Sequence, residues 1–543
     1  MNGAYLDIEE SELVEEWVGS RARPRSLRYA RWDTVLFCGL IGVLLIPLWS
    51  FHYFPSEDGP AHGYAAVVAR DYDRPDRPTF REFFVKSDRL VPNWISPRLL
   101  PILAEIFPVE IAEKIVLSLY LILLPLSVRY ALGAIRRRAA GLAFCIFPLV
   151  PGFYYHEGLL DYCIGLPVFF FIVGYWLKHR RRMEARQVMV LAALLLVGFL
   201  CHLVPTGMAG LFIAVLAFTM GGGGLGARVG RLVPVIAAGA PVLLLTVGFA
   251  VGQHSVPAVI GYPYASRLSR LKDLVRIQKA FASPEAALAA VNLALFAGLT
   301  GWLLWRRGAR KFFTGGNAFL LVAALSAGLF LFAPDEGVGG SMLVVRLAMY
   351  PLLALILWWA AQPIGSKAFA RLRLACTIVP VALTLLLIAS MIVSYGRVTP
   401  YLRDMEAVVE QIPPNSTLWL TSYPPNITLG PDGRLLIRGP NIFMHSGSRQ
   451  AGERGIAILN SMVAETNYNE IRYRPEINPG YHIVFDFTGY AARIGKPLEY
   501  VILWTGGTTP QNADARQIAK QLHEDYDLIL HLPANRLRQT LSP

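Results

Sequence analysis

Long apolar runs separated by short polar stretches dominate the chain up to about residue 395. About 20 apolar residues, rising 1.5 Å each along a helix, cross the hydrocarbon core of a bilayer. Segments that reach or approach this length predict about eleven spans, at residues 32–53, 111–133, 139–155, 159–177, 187–203, 205–220, 232–251, 285–305, 316–333, 342–362 and 374–395. The pattern therefore predicts a polytopic α-helical membrane protein.

Short basic clusters recur in alternate loops between these spans. They comprise Arg136 to Arg138, Lys178 to Arg186, Arg228 with Arg231, Arg306 to Lys311, and Lys367 to Arg373. The positive-inside rule makes their side cytoplasmic, together with the N-terminus, whereas a shift by one span would scatter the clusters over both faces. We expect a multi-pass protein of the cell inner (plasma) membrane.

Composition agrees with this topology. Charged residues make up 16% of the chain and apolar residues 54%, whereas an ordinary soluble protein has about 25% charged residues. The net charge of +13 is concentrated in the short loops between apolar runs. It therefore reflects membrane topology, and we expect no nucleic-acid partner.

The remaining polar segments define the domain organisation. Residues 1–31 are predicted to be a cytoplasmic tail and residues 32–396 a transmembrane domain, whose first outward loop covers residues 54–110. A second outward loop, residues 252–284, alternates basic and apolar residues and predicts an amphipathic helix on the outer interface. Residues 397–543 are predicted to form a small extracytoplasmic α/β domain.

Short β-branched and aromatic runs carry the prediction of that C-terminal domain. Residues Thr417 to Thr421, Tyr500 to Trp504 and Asp527 to Leu532 have the composition of strands. Residues Asp514 to His523 have helical spacing. A mixed α/β domain follows from this alternation.

Ionisable residues near the predicted span ends lie almost entirely on the outward side. Such groups are costly at membrane depth, so each is a candidate functional residue. They include Glu57, Asp58, His62, His156, Glu157, Asp161, His202, Asp335, Glu336 and Arg346. Side chains from several span ends are therefore expected to converge on one outward cavity.

The segment from Pro55 to His62, which directly follows the first span, is the most informative. Gly59 and Pro60 predict a turn that leads into a helix. Asp58 then lies at or just before the N-cap of that helix. Two interpretations stay open for Asp58: a catalytic carboxylate, or a residue that only caps the helix.

The acidic pair Glu57-Asp58 at the end of the first span resembles the first-loop motif of the GT-C superfamily of integral-membrane glycosyltransferases. Predicted helices in that loop (Ala61 to Tyr72 and Trp94 to Phe107), the many spans and the extracytoplasmic C-terminal region match the same order of elements. The string Asp-Gly-Pro-Ala-His, residues 58–62, is similar to that of bacterial members of the group. Beyond residue 110 the resemblance is one of organisation.

This resemblance implies transfer of a sugar from a polyprenyl-phosphate donor to a lipid, glycan or protein acceptor on the extracytoplasmic face. It assigns the catalytic carboxylate to Asp58, with Glu57 beside it. Some branches bind a divalent metal through acids of several loops and others bind none. The second acidic motif of the family is not clearly present, so a Mg²⁺ or Mn²⁺ site stays open.

Chemistry suggests roles for the other candidates. A cation must offset the charge that develops on a departing lipid phosphate, and Arg346, about one turn inside its span, is the best candidate. His62 is a second candidate for phosphate binding. The remaining residues are candidates for the acceptor site or the cavity wall: His156, Glu157, Asp161, His202, Asp335 and Glu336. Structural histidines and an Arg346 that reaches for lipid headgroups are the competing interpretations.

Two other function classes stay open. One is a transporter or flippase for a lipid or polysaccharide, although such proteins commonly place their polar groups near the bilayer midplane and contain internal repeats. The other is a non-catalytic membrane assembly protein whose C-terminal region binds partners. Polar groups gathered at one face, with no internal repeat evident, weaken the transporter interpretation, whereas nothing in the sequence excludes an assembly protein; the inverting glycosyltransferase is the hypothesis that the resemblance implies.

Overall fold

The computed structural model describes residues 24–529 with short gaps, and the described residues form long apolar helices around a buried core. Outside the described residues lie 1–23, 88–90, 222, 253–265, 280, 308–314, 338–339, 423–427, 431–434, 438, 466–468, 479–486, 497, 505–515, 517–519, 525, 528 and 530–543.

Helices dominate the chain up to residue 410. In chain order they are α1 (Pro24–Ser50), α2 (Gly59–Asp71), α3 (Pro78–Phe83), α4 (Ile95–Ala104), α5 (Val109–Ile135), α6 (Phe153–Glu157), α7 (Leu160–His179), α8 (Ala185–Cys201), α9 (Leu203–Thr219), α10 (Leu225–Val251), α11 (Asp273–Arg276), α12 (Glu285–Arg307), α13 (Ala318–Phe332), α14 (Leu343–Leu347), α15 (Met349–Ala360) and α16 (Ser366–Glu410). The first of them begins inside the tail predicted for residues 1–31.

Seven segments of the described chain are helical, long and apolar enough to cross a membrane. They are Trp32–Ser50, Val109–Ile135, Leu160–His179, Leu225–Val251, Glu285–Arg306, Leu343–Ala360 and Ser366–Glu410. Each coincides with or contains most of a predicted span. Helices α8, α9 and α13 correspond to three more predicted spans but have only 17, 17 and 15 residues. The chain is a multi-pass helical protein.

The predicted span at residues 139–155 has a different structure. Residues Arg137–Leu149 form a 3₁₀-helix, followed by the short helix α6. The 3₁₀-helix is buried from Gly141 onward and packs against α5 and α16. Its rise of about 2.0 Å per residue stretches a short apolar sequence over a longer distance than an α-helix would. Hydropathy alone does not distinguish the two conformations.

Ion pairs and hydrogen bonds bring the predicted cytoplasmic loops together at one end of the bundle. Asp33 of α1 accepts bonds from Arg129 near the end of α5 (3.3 Å) and from Arg373 near the start of α16 (2.6 Å). At the same end, Arg136 and Arg138 donate to carbonyl oxygens just after α15. We call this end of the bundle the basic end, since all four arginines lie there, two of them bonded to Asp33 and two to backbone carbonyl oxygens.

The first long loop folds against the C-terminal region. Helices α2 and α4 fall within or beside the two helices predicted for this loop. Strand β1 (Phe84–Lys86) pairs antiparallel with strand β6 (Ile471–Tyr473). An ion pair of 2.8 Å joins Arg70 to Glu453, and the Tyr64 hydroxyl bonds to Ile456 and Ile458.

Helix α16 carries the chain from the basic end to the C-terminal region. Its 45 residues span about 68 Å at 1.5 Å per residue, which is about twice the hydrocarbon thickness. Beyond it lie strands β2 (Thr417–Ser422), β3 (Thr428–Leu429), β4 (Leu435–Ile437), β5 (Ala457–Ile458), β6 and β7 (Tyr500–Trp504), and helices α17 (Ser448–Glu453), α18 (Met462–Glu465) and α19 (Phe487–Ile494).

The described part of this region contains a small parallel sheet of order β5-β2-β7 and a separate antiparallel pair, β3-β4. Strands β2 and β7 include the two strand predictions at Thr417 to Thr421 and Tyr500 to Trp504. Of the helix predicted at Asp514 to His523, residues 520–523 are helical, and most of the other residues lie outside the described ones. The strand predicted at Asp527 to Leu532 also falls largely outside them.

Candidate active site

The loop between α1 and α2 is bonded through its backbone to the end of α6. Glu57 N–H donates to the carbonyl oxygen of His156 (3.1 Å), and Asp58 N–H donates to that of Glu157 (2.8 Å). Gly158 follows with a φ of +89°, and a Cβ there would lie 2.6 Å from the backbone nitrogen of Gly59. Glycine is therefore needed at position 158, both for its backbone conformation and for the close approach.

A buried ion pair supports the other side of this loop. A Cβ on Gly59 would lie 2.1 Å from Oε1 of Glu113, and the Ser56 hydroxyl donates to the same oxygen at 3.4 Å. The other oxygen of Glu113 accepts two bonds from the Arg449 guanidinium of α17. Both charged side chains are at most 3% exposed. The Glu113–Arg449 pair thus joins a span, the loop and the C-terminal region.

Asp58 precedes helix α2 without capping it through its side chain. Its backbone is right-handed helical (φ −86°, ψ −19°), and its carboxylate accepts no capping hydrogen bond. Only its backbone carbonyl accepts the His62 N–H, at 3.0 Å. The side chain is partly exposed. Asp58 therefore occupies the N-cap position of α2, as the sequence predicted, without capping the helix through its carboxylate.

Three carboxyl groups meet at this loop: Glu57, Asp58 and Glu157. Burial raises the pKa of Asp58 well above its usual value, and the neighbouring Glu57 raises it further. Burial likewise raises the pKa of Glu57 to about 7, although the Asn441 N–H bonded to it at 2.5 Å counteracts the rise. The pKa of Glu157 is raised well above its usual range by burial and by the other two acids. The three groups therefore do not all carry a full negative charge at neutral pH.

Two arginines supply positive charge to this acid cluster, which we define as Glu57, Asp58 and Glu157. Arg346 interacts electrostatically with Asp58 and Glu157, and Arg276 with Glu57 and Glu157. The cluster thus combines carboxyl groups from the loop before α2 and from the end of α6 with guanidinium groups from α11 and α14. Such an arrangement can accept a proton and hold an anion side by side.

The backbone of α14 holds Arg346 in position. Tyr162 and Tyr154 donate hydroxyl hydrogen bonds to the carbonyl oxygens of Arg346 (2.7 Å) and Val345 (2.6 Å). The Arg346 Nη1 group donates to Ser341 O at 2.7 Å, while its buried Nε has no hydrogen-bond partner in the described part of the chain. A buried unpaired donor costs about 1–3 kcal/mol.

Arg276 is the member of the site that the sequence did not reveal. The outer loop 252–284 was predicted to hold an interfacial amphipathic helix, but its described part contains a short 3₁₀ turn (Leu268–Lys272) and the single turn α11. The guanidinium of Arg276 lies 4.2 Å from the centre of the Phe153 ring. The adjacent Ile277 is fully buried, and its carbonyl accepts the Phe153 N–H. This part of the segment therefore packs inward. The excess of positive charge in a loop predicted to face outward was the sequence signal that could have pointed to Arg276.

Several sequence candidates have structural partners. The fully buried His156 bonds through Nδ1 to Gly152 O (3.0 Å) and through Nε2 to the Tyr395 hydroxyl (2.7 Å). Asp161 accepts from the Ser96 N–H (2.9 Å) and the Ser96 hydroxyl (2.5 Å) at the start of α4. Asp335 accepts from the Val344 N–H (3.0 Å) at the start of α14. Each of these groups stabilises a helix end or a turn next to the site.

The remaining candidates lie at its edges. His202 caps α9 by accepting from the Val204 N–H at 3.1 Å, and its ring contacts Tyr162. Glu336 is partly exposed in the loop between α13 and α14. His62 lines a cavity of about 10 Å³ together with residues 97, 100, 469 and 470, which is room for about one water molecule. Burial lowers the pKa of His62 to about 4, so the imidazole is neutral at physiological pH.

No group of three or more His, Cys, Asp or Glu side chains among the described residues has the geometry to hold an ion. The acid cluster instead faces the guanidinium groups of Arg276 and Arg346.

Comparison of the chain with known protein families, with curated proteins and with solved structures finds no match in any of the three. The function proposed for the acid cluster and the two arginines therefore rests on the chemistry of these residues.

Proposed function

We propose that the chain is an inverting membrane glycosyltransferase of the GT-C type, which moves a sugar from a polyprenyl-phosphate donor to an acceptor on the extracytoplasmic face. The observation that carries the proposal is that Asp58, partly exposed and with a carboxylate that does not cap α2, interacts electrostatically with Arg346, whose Nε has no hydrogen-bond partner in the described part of the chain. In this proposal the N-terminus is cytoplasmic, and residues 397–543 form an α/β domain on the outer face of the plasma membrane.

Asp58 is the general base of the proposed reaction. Its carboxylate takes the proton of an acceptor hydroxyl while the hydroxyl oxygen bonds to the anomeric carbon of the sugar. The bond between that carbon and the phosphate oxygen breaks, and its electron pair leaves with the polyprenyl phosphate. A carboxylate with a raised pKa is a better base near neutral pH than an ordinary one, and general-base catalysis contributes about 10²–10⁴-fold in rate.

Arg346 receives the departing phosphate. A guanidinium carries a permanent charge and can form two parallel bonds to phosphate oxygens. Its backbone is already fixed by Tyr154 and Tyr162, so little reorganisation accompanies the step, and preorganised charge is a large contributor to catalysis. Glu57 keeps the pKa of Asp58 high and bonds to the C-terminal region through Asn441.

The position of the acid cluster supports an enzyme over a transporter. The cluster adjoins the end of α1 and the starts of α2, α7 and α14, whereas transporters commonly place such groups at the midplane. The described C-terminal region reaches the same loop through Asn441 and Arg449. A covered site of this kind suits chemistry at the boundary between lipid and water.

The test measures release of polyprenyl phosphate. This product is common to the reaction class, whichever sugar is transferred and whichever acceptor receives it. Purified full-length protein in lipid nanodiscs would receive a panel of polyprenyl-phosphate hexoses and pentoses with lipid, glycan and peptide acceptors. Asp58→Asn should abolish the release, and Asp73→Asn, which changes an exposed aspartate of the same loop, should retain it. Equal release by wild type and Asp58→Asn would contradict the proposal. Substrate movement across proteoliposomes without release would favour a transporter.

A further inference from the structure

A second polar feature lies at the basic end of the bundle, far from the acid cluster. A cavity of about 530 Å³ opens between the ends of α5 and α7. Along α5, Arg129 at this cavity follows Glu113 by 16 residues, which corresponds to about 24 Å of helix. The proposed glycosyl transfer makes no use of this cavity.

Close packing above the cavity and small residues beside it explain why the space exists. A Cβ on Gly174 would lie 2.7 Å from the Tyr130 ring, so α5 and α7 touch closely at that level. One turn further along α5, Gly133 and Ala134 line the cavity. Their small side chains leave the gap unfilled where the helices end.

The cavity wall is strongly basic. Arg129, Lys178, Arg180 and Arg181 all line it, and the described residues of the wall include no carboxylate. Basic side chains around one space raise the positive potential there and attract anions. Asp33 offsets part of this charge through its ion pair with Arg129, but that carboxylate also pairs with Arg373.

Arg129 retains hydrogen-bonding capacity. Its Nη2 donates to Asp33 Oδ2 (3.3 Å) and to the Thr34 hydroxyl (3.1 Å). Its Nη1 is buried and has no hydrogen-bond partner among the described residues. Such a donor is costly to leave unmatched, and the guanidinium that carries it lies over the Phe37 ring, 4.7 Å from its centre.

We propose that this cavity binds a phosphate ester group. Arginine recognises phosphate through paired N–H donors, and Tyr130 and Leu177 add less polar surface to the same wall. Two sources carry this chemistry: the headgroup of an anionic phospholipid, which lies at the depth of span ends, and a soluble phosphorylated compound. This site is independent of the glycosyltransferase proposal.

The experiment compares two matched double variants of the full-length protein. In the first, Lys178→Gln and Arg181→Gln remove two exposed cations of the cavity wall. In the control, Lys367→Gln and Arg371→Gln remove two exposed cations at the start of α16, at the same end of the bundle. Binding of short-chain phosphatidylglycerol would be titrated by native mass spectrometry in detergent, with phosphatidylcholine as the neutral lipid. Inorganic phosphate would be added as a competitor.

The proposal predicts one saturable phosphatidylglycerol site that the cavity variant weakens about twenty-five-fold, since each of the two basic side chains contributes about a factor of five near an anionic headgroup. The control variant should bind as the wild type does. If inorganic phosphate does not compete, the ligand is a lipid headgroup; if it competes at low concentration, a soluble phosphate is favoured. Equal weakening in both variants, unchanged binding in the cavity variant, or no saturable site for either probe would overturn the proposal.

Discussion

The backbone N–H of Asp58 donates a 2.8 Å hydrogen bond to the carbonyl oxygen of Glu157. This bond joins the first long loop to the segment before α7, and it brings two carboxyl groups into one cluster. Because the bond uses backbone atoms, it fixes the position of Asp58 while leaving its carboxylate unoccupied. The chemistry proposed for Asp58 depends on this arrangement.

Gly158→Ala tests the contact that the backbone bond requires. Alanine at a φ of +89° is strained, and its Cβ would lie 2.6 Å from the Gly59 nitrogen. We expect a loss of about 1–3 kcal/mol in stability, measured as a lower unfolding temperature in detergent. Gly210→Ala is the control, since a Cβ there meets nothing within 4 Å. An unfolding temperature for Gly158→Ala equal to that of the control would show that the loop contact is not tight.

Glu113→Gln and Arg449→Gln test the buried pair under the loop. Either single change leaves an uncompensated buried charge and should cost about 3–5 kcal/mol. The double variant should lose less than the two single variants together, because neither charge remains. Unfolding measured for all four proteins gives the coupling energy. Additive losses would mean that the two side chains do not interact.

Glu57→Gln should move the acidic limb of the pH–rate profile to lower pH. In the wild type the base is inactive when Asp58 is protonated, so the rate rises with pH through its raised pKa. Glu57 contributes to that rise in pKa, and a neutral glutamine removes the contribution. The rate of polyprenyl phosphate release from pH 4 to pH 9 measures the limb, with Glu105→Gln, an exposed change in the same loop, as the control. If the acidic limb of the Glu57→Gln profile lies at the same pH as in the wild type, Asp58 is not the base whose titration sets that limb.

Arg346→Lys should weaken stabilisation of the leaving phosphate. Lysine keeps the charge but cannot form paired bonds, and loss of one such donor costs about 10²–10³-fold in kcat. We expect kcat/KM for the donor to fall by about 10²-fold. Arg397→Lys changes an exposed arginine of α16 and should leave the kinetics unaltered. Wild-type kinetics in Arg346→Lys would assign Arg346 a structural role.

Hydropathy and turn residues were sufficient to predict most of the long apolar helices and the position of Asp58 at the start of α2. The first span ends where the apolar run ends, and Gly59-Pro60 starts α2 as expected. Strand Tyr500–Trp504 agrees with its prediction residue for residue. These features depend on local sequence, which is why the pattern reveals them.

Features that depend on distant contacts could not be predicted. The pairing of Phe84 with Tyr473 and the bond between Ser96 and Asp161 join segments far apart in the chain. The apolar composition of residues 137–149 would suit an α-helix equally well, so the sequence pattern does not reveal their 3₁₀ conformation. The loop 252–284, which contains Arg276, was assigned to the lipid interface. The packing of Arg276 against Phe153 follows only from the fold.

The central claim is that the Asp58 carboxylate performs the proton transfer. The most direct measurement is the single-turnover rate of polyprenyl phosphate release by Asp58→Asn, relative to Asp73→Asn, with donor binding measured separately. The account predicts a fall of about 10²–10⁴-fold in rate with donor affinity retained. A rate in Asp58→Asn equal to that in Asp73→Asn would contradict it.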